Sequence, residues 1–161
     1  MERTALDDVE NDPHPMGINT VQKPLSAALG AEDVAINYFE LGPGEKFSGG
    51  LHTHHDQEEI FYVQSGSATF EVGKGRETVT VGPDGAIRFA PGEFQHGYNP
   101  EDAEEDVVGL AIGAPSERHD WDQIESYSYC PECERERSFS VEPIDDGLAT
   151  VCQHCGWRWE G

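Results

Sequence analysis

The 161-residue chain reads as all-β, a small antiparallel sandwich or barrel followed by a shorter module that stands on a metal. Three observations carry that reading. Apolar residues fall in short alternating runs at regular spacing. Eighteen glycines and ten prolines punctuate those runs with turn chemistry. All four cysteines lie in the last 32 residues, in two C-x2-C pairs.

Residues 1–33 are polar, carry Pro13, Pro15 and Pro24, and are expected to form an arm or lay one strand on the domain edge. From Val34 onward strands are expected over 34–41, 60–64, 67–72, 76–81, 86–90, 94–98 and 106–113, with GGLHTH at 49–54 between the first two. Ser65-Gly66, Gly73-Lys74-Gly75, Gly82-Pro83-Asp84-Gly85 and Pro91-Gly92 supply turns, and hairpin after hairpin predicts a meander. The alternation stops around Ala114-Pro115-Ser116. The barrel is therefore expected over 34–116, a linker with room for one helical turn over 117–128, and the cysteine module over 129–161.

The chain holds 32 acidic against 10 basic residues, a formal charge of −22. Such a surface repels phosphate backbones and anionic headgroups, which excludes non-specific binding to nucleic acid or membrane. The acids are scattered rather than gathered in a tail, the pattern expected of a halophile's protein, whose self-repulsion is screened in concentrated salt. No run approaches the ~18 apolar residues of a membrane span, and MERTALDDVENDPHP lacks the basic and apolar stretches of a signal peptide, so a cytoplasmic location is expected.

Chemistry concentrates first at His52, His54, His55, Glu58 and Glu59, with His96 on a later strand. Residues i and i+2 of a strand share a face, so His52 and His54 aim into one interior while Thr53 and His55 face away. The polar HDQE that follows is turn-like and resets the parity, so that Glu59 joins Phe61 and Val63 on the inner face. Three imidazoles and a carboxylate suit a borderline divalent ion, Fe, Mn, Ni, Co or Zn, with positions left for a ligand. Spacing alone equally describes independent surface histidines.

HTHHDQEEIFYVQSG, with His52, His54, Glu59 and Gly66 in register, resembles the first motif of the cupin superfamily, and GAIRFAPGEFQHGYN resembles the second, with Gly85, Pro91 and His96. The resemblance covers roughly residues 34–113 and implies a cupin β-barrel of jelly-roll type. It also implies a divalent transition metal on His52, His54, Glu59 and His96, a small-molecule ligand, and pairing as a homodimer. Three departures stand out. Lys46 occupies the first motif's opening glycine position, Gly92 follows Pro91 directly, and Asn99 lies three residues after His96 rather than four. Gln57, Gln95 and Tyr98 are candidates to orient substrate at the mouth. Neither motif holds a lysine or arginine apart from Arg88, so a strongly anionic substrate lacks a clamp.

Cys130-Pro-Glu-Cys133, 18 residues, and Cys152-Gln-His-Cys155 have the spacing of a structural zinc site. The spacer reads as a hairpin turning at Asp145-Asp146-Gly147, and the segment resembles a zinc ribbon, with Gly156 after the last ligand and Trp157 and Trp159 on a final strand. So few large apolar groups could hardly hold it together without the ion. Residues 126–161 carry seven acids and three arginines, a net −4, which argues against DNA and leaves a protein contact through the tryptophans. Two functions follow: a metal-dependent small-molecule enzyme, of dioxygenase or isomerase type, or a non-catalytic sensor whose ribbon docks on a protein partner.

Overall fold

The computed structural model describes residues 1–117, 120–144 and 147–160. The alternating runs become strands β1 (Val21–Pro24), β2 (Ala35–Leu41), β3 (His52–His54), β4 (Glu58–Ser65), β5 (Ala68–Val72) and β6 (Glu77–Val81). They continue as β7 (Gly85–Phe89), β8 (Gln95–Tyr98), β9 (Val107–Ala114), β10 (Ile124–Cys130), β11 (Arg135–Ile144), β12 (Gly147–Cys152) and β13 (Arg158–Glu160). One sheet runs β1-β2-β9-β4-β7, the other β13-β12-β11-β10-β3-β8-β5-β6. A five-residue helix, α1 (Leu25–Leu29), follows the edge strand β1 and ends at Gly30 in the left-handed conformation. Among the described residues no helix is long and apolar enough to cross a membrane.

The barrel is not the meander that the turns predict. From β3 to β9 the chain steps from one sheet to the other at nearly every connection, and β5–β6 alone pairs sequence neighbours. An open single-sheet meander would leave one apolar face bare, whereas alternation lets the two sheets bury each other's inner faces. Phe39, Phe47, Phe61, Phe70 and Phe89 fill that interior with Leu41, Val63 and Val107. Phe61 sits 5.0 Å from Phe70 and 5.2 Å from Phe47, in tilted ring pairs. Gly97 on β8 makes room for them, since a Cβ there would lie 2.5 Å from the Phe70 ring.

The expected linker is also corrected. Trp121–Gln123 forms a 3-10 turn, and Ile124–Cys130 is a full strand that pairs with β3 on one side and β11 on the other. The three-residue β3 would otherwise end the sheet with unpaired backbone groups, which β10 satisfies. Barrel and cysteine module therefore share one eight-stranded sheet. The module's own core is Cys130, Phe139 and Cys152, with Cys133 and Trp157 against them. The expected turn at Asp145 and Asp146 lies outside the described residues.

Candidate metal centres

In the barrel, β3 and β4 bring His52, His54 and Glu59 together, with one donor atom from each within 4.8 Å of the others. His54 Nε2 lies 3.6 Å from Glu59 Oε1, and His52 Nε2 lies 4.0 Å from Glu59 Oε2. The His52 and His54 rings meet at 70° with centroids 5.1 Å apart. His52 Nδ1 donates to the Gly50 carbonyl at 2.9 Å, which leaves the Nε2 lone pair facing the cluster. Glu59 sits opposite Phe89 and Gly113 in its sheet and shares the inner face of β4 with Phe61 and Val63.

His96 is not among the clustered donors. On β8 it is Gln95 that lies opposite His52, so Gln95 faces inward and His96 outward. Gln95 is fully buried and its Nε2 donates to Glu59 Oε2 at 2.7 Å and approaches His52 Nε2 at 3.3 Å. Its Oε1 is buried with no hydrogen-bond partner, an orphaned oxygen beside two imidazoles and a carboxylate that fits an ion at this place. His96 instead pairs with Glu71 across the outer face and packs on Tyr98 with ring centroids 5.5 Å apart. Burial drives its pKa down to about 4, against the opposing pull of Glu71.

A cavity of about 520 Å³ opens from these donors. Tyr98 shares the outward face of β8 with His96 and does not line the cavity, so that candidate is corrected. Gln57 lines it, but its amide nitrogen is spent on the Ser116 carbonyl at 3.0 Å and on that of Pro115, which ties down the end of β9. His55 faces out and bonds Glu125 at 3.0 Å.

His14, which sequence reasoning leaves in an uninformative arm, also lines the cavity. The buried Asn19 holds it there, accepting from His14 N at 3.0 Å and donating to the Lys46 carbonyl at 3.2 Å. His14 Nδ1 accepts from Met16 N at 3.2 Å, so in the neutral ring Nε2 carries the proton. Burial, then the nearby His52, lowers its pKa.

In the cysteine module the four sulfurs lie within 4.8 Å of one another, and Cys130 and Cys155 are 3.6 Å apart. That is far beyond a disulfide bond of ~2.05 Å. It matches the ~3.8 Å edge of a tetrahedron with Zn–S bonds of about 2.3 Å. Burial pushes the Cys152 thiol up, but the N–H groups of Cys155 and His154 aimed at it prevail and bring it to about 7. The four cysteines fit a small zinc module.

Residues 37–113 match the model of the cupin domain family. No curated protein matches the sequence. Among solved structures the chain is similar to a sugar phosphate isomerase of the cupin superfamily from Silicibacter pomeroyi, at 17% identity over 96% of this chain and 95% of that one, with a TM-score of 0.62. A protein of Acidithiobacillus ferrooxidans provisionally named a sugar phosphate isomerase aligns at 21% identity over 92% and 86%, with a TM-score of 0.62. The polyketide cyclase RemF from Streptomyces resistomycificus aligns at 23% over 74% and 81%, with a TM-score of 0.61. These identities establish a shared fold. Residues 37–113 of the barrel are a cupin domain, and the chain shares its fold with solved proteins of the cupin superfamily.

Proposed function

We propose that the chain is a metal-dependent cupin enzyme in which His52, His54 and Glu59 would hold a divalent first-row ion beside a cavity that takes a small oxygen-bearing molecule. The observation that carries this is the convergence of the three donors at the floor of a 520 Å³ cavity. Relatives named for sugar phosphate isomerisation and polyketide cyclisation support a small-molecule enzyme.

When bound, the ion supplies Lewis-acid polarisation of a substrate oxygen. Two neutral imidazoles and one carboxylate leave a divalent site with one net positive charge, suited to an oxygen that becomes anionic as a neighbouring proton leaves. Gln95 holds the Glu59 carboxylate at a fixed angle through its 2.7 Å hydrogen bond. His14 is the neutral imidazole outside the ligand set that lines the same cavity; with Nδ1 accepting from Met16 N, its Nε2–H donates to the substrate oxygen, while Glu59, the carboxylate of the lining, takes the proton from carbon. Isomerase-type proton transfer beside a carbonyl is the reaction these groups serve. The ribbon cysteines hold structural zinc.

The test is proton exchange at the carbons flanking the carbonyl of dihydroxyacetone in D2O, followed by NMR, with protein loaded in turn with Mn, Fe, Co, Ni or Zn. Loaded protein is expected to exchange and His54→Ala and Glu59→Gln to lose both ion and exchange. His14→Gln should keep the ion and slow exchange about 10²-fold or more. A barrel that takes up none of the five ions overturns the proposal.

A further inference from the structure

We propose that the ribbon is the outer wall of the barrel's binding site, and that the occupant is an extended, uncharged aromatic molecule with adjacent oxygen donors at one end, one of them the carbonyl beside which the proton is moved. This rests on the metal reading above and adds the substrate class.

The sheet register carries the first step. His52 pairs with Ser126, Ser126 with Phe139, and Phe139 with Cys152, so a barrel donor and a ribbon cysteine lie on one row across four strands. Directly opposed residues share a face. The face that presents His52 and His54 to the cavity therefore continues over Phe139, Val141 and Thr150 to Trp159. Four strand spacings of about 4.8 Å separate β3 from β13, so the face from His52 to Trp159 is ~19 Å long, too long for a triose to span.

Cavity and wall are one space. The cavity that contains His52, His54, Glu59 and Gln95 is also lined by Phe139, Val141, Trp157 and Trp159. Trp157 stands edge-on to Phe139 at 6.3 Å, while Trp159 is 42% exposed at the rim. An indole left uncovered beside an apolar channel is stabilised by a flat ring laid over it.

Charge decides the remaining chemistry. Among the described lining residues no lysine or arginine occurs, and Glu59 is the single carboxylate. Of the cations on the surrounding strands, Lys74 is held by Glu125 and the rings of Phe94 and Tyr127, Arg88 by Glu58, and Arg158 by Glu142 and Glu160, while Arg137, opposite Ser128, donates to the Glu136 carbonyl and does not line the cavity. A phosphate monoester would enter a channel with no cationic side chain to hold it, in a chain of net charge −22. An uncharged ring system meets no such cost.

The experiment uses full-length Co(II)-loaded protein and three probes: 3,4-dihydroxy-p-terphenyl, catechol and glucose 6-phosphate. Two signals are read, the visible cobalt bands for the barrel end and tryptophan quenching for the ribbon end. The terphenyl diol is expected to move both signals and to bind about tenfold tighter than catechol. Trp159→Ala and Thr150→Glu should erase that advantage and leave catechol affinity unchanged, and glucose 6-phosphate should move neither signal. If the cobalt bands respond equally to diol and catechol and neither variant matters, the ribbon wall is overturned while the metal reading stands. If tryptophan quenches but the cobalt bands never move, the metal reading falls and the two-ended substrate with it. If Trp159→Ala changes the mass in light scattering and not the diol affinity, the face belongs to a second copy and the proposal is overturned.

Discussion

The side-chain amide of Gln95 donates to the Glu59 carboxylate across 2.7 Å, from the strand position immediately before His96. One residue decides which side chain enters the barrel, because a single step along a strand exchanges its two faces. Gln95→Ala is expected to weaken metal binding roughly 10- to 100-fold by releasing Glu59. Gln95→His should tighten it by supplying a third imidazole, and His96→Gln should leave it unchanged. Competition titration with a chromogenic chelator measures all three, and a large loss in the His96 variant would show that the outer histidine is the ligand.

His96 gives a pH signature of its own. Burial holds it neutral in the folded chain down to about pH 4, whereas an ordinary histidine takes its proton near 6.5. The unfolded chain therefore binds more protons between these values, so the contribution is whole above pH 6.5 and is lost as pH falls towards 4. Chemical denaturation should show His96→Gln losing less stability than the parent over that interval, by roughly 3 kcal/mol. Parallel curves would place His96 in water.

Zinc should reach beyond the module that holds it. Cys130→Ser or Cys155→Ser is expected to lose about one zinc per chain by elemental analysis. Because β10 belongs to both units, the melting temperature of the barrel should fall as well, by about 5 °C or more. Two independent transitions, the upper one unmoved, would contradict the shared sheet.

The charge predicts a salt response. With −22 on 161 residues, raising KCl from 0.1 M to 2 M shortens the screening length from ~10 Å to under about 3 Å and should raise the melting temperature by about 5 °C or more. A flat response in a thermal scan would remove the halophilic reading.

Much of this was legible in the sequence where a two-residue period and a turn fix direction. His52 and His54 share a face by parity, and Glu59 joins them because Phe61 and Val63 need the interior. The second motif carried its own correction. Gly92 and Asn99 each stand one residue early relative to His96, and moving the ligand position to 95 restores both spacings. Asn99 then serves the fold, fully buried and donating to the carbonyls of Leu41 and Glu105. The stretch IESYSY reads as linker because Ile124 and the two tyrosines fall on opposite parities, and its partner β3 is seventy residues away in sequence, a pairing no local pattern announces. His14 was illegible for the same reason, since its position depends on Asn19 reaching the Lys46 carbonyl.

The strand β10 also guards the chain against its own kind. Cutting after residue 123 would strip β3 of its neighbour and leave His52 and the buried Thr53 and His54 as a bare sheet margin, apt to zip onto another molecule. A shortened barrel would be expected to associate or precipitate, so the C-terminal segment keeps the strand of His52 and His54 from pairing with a second molecule.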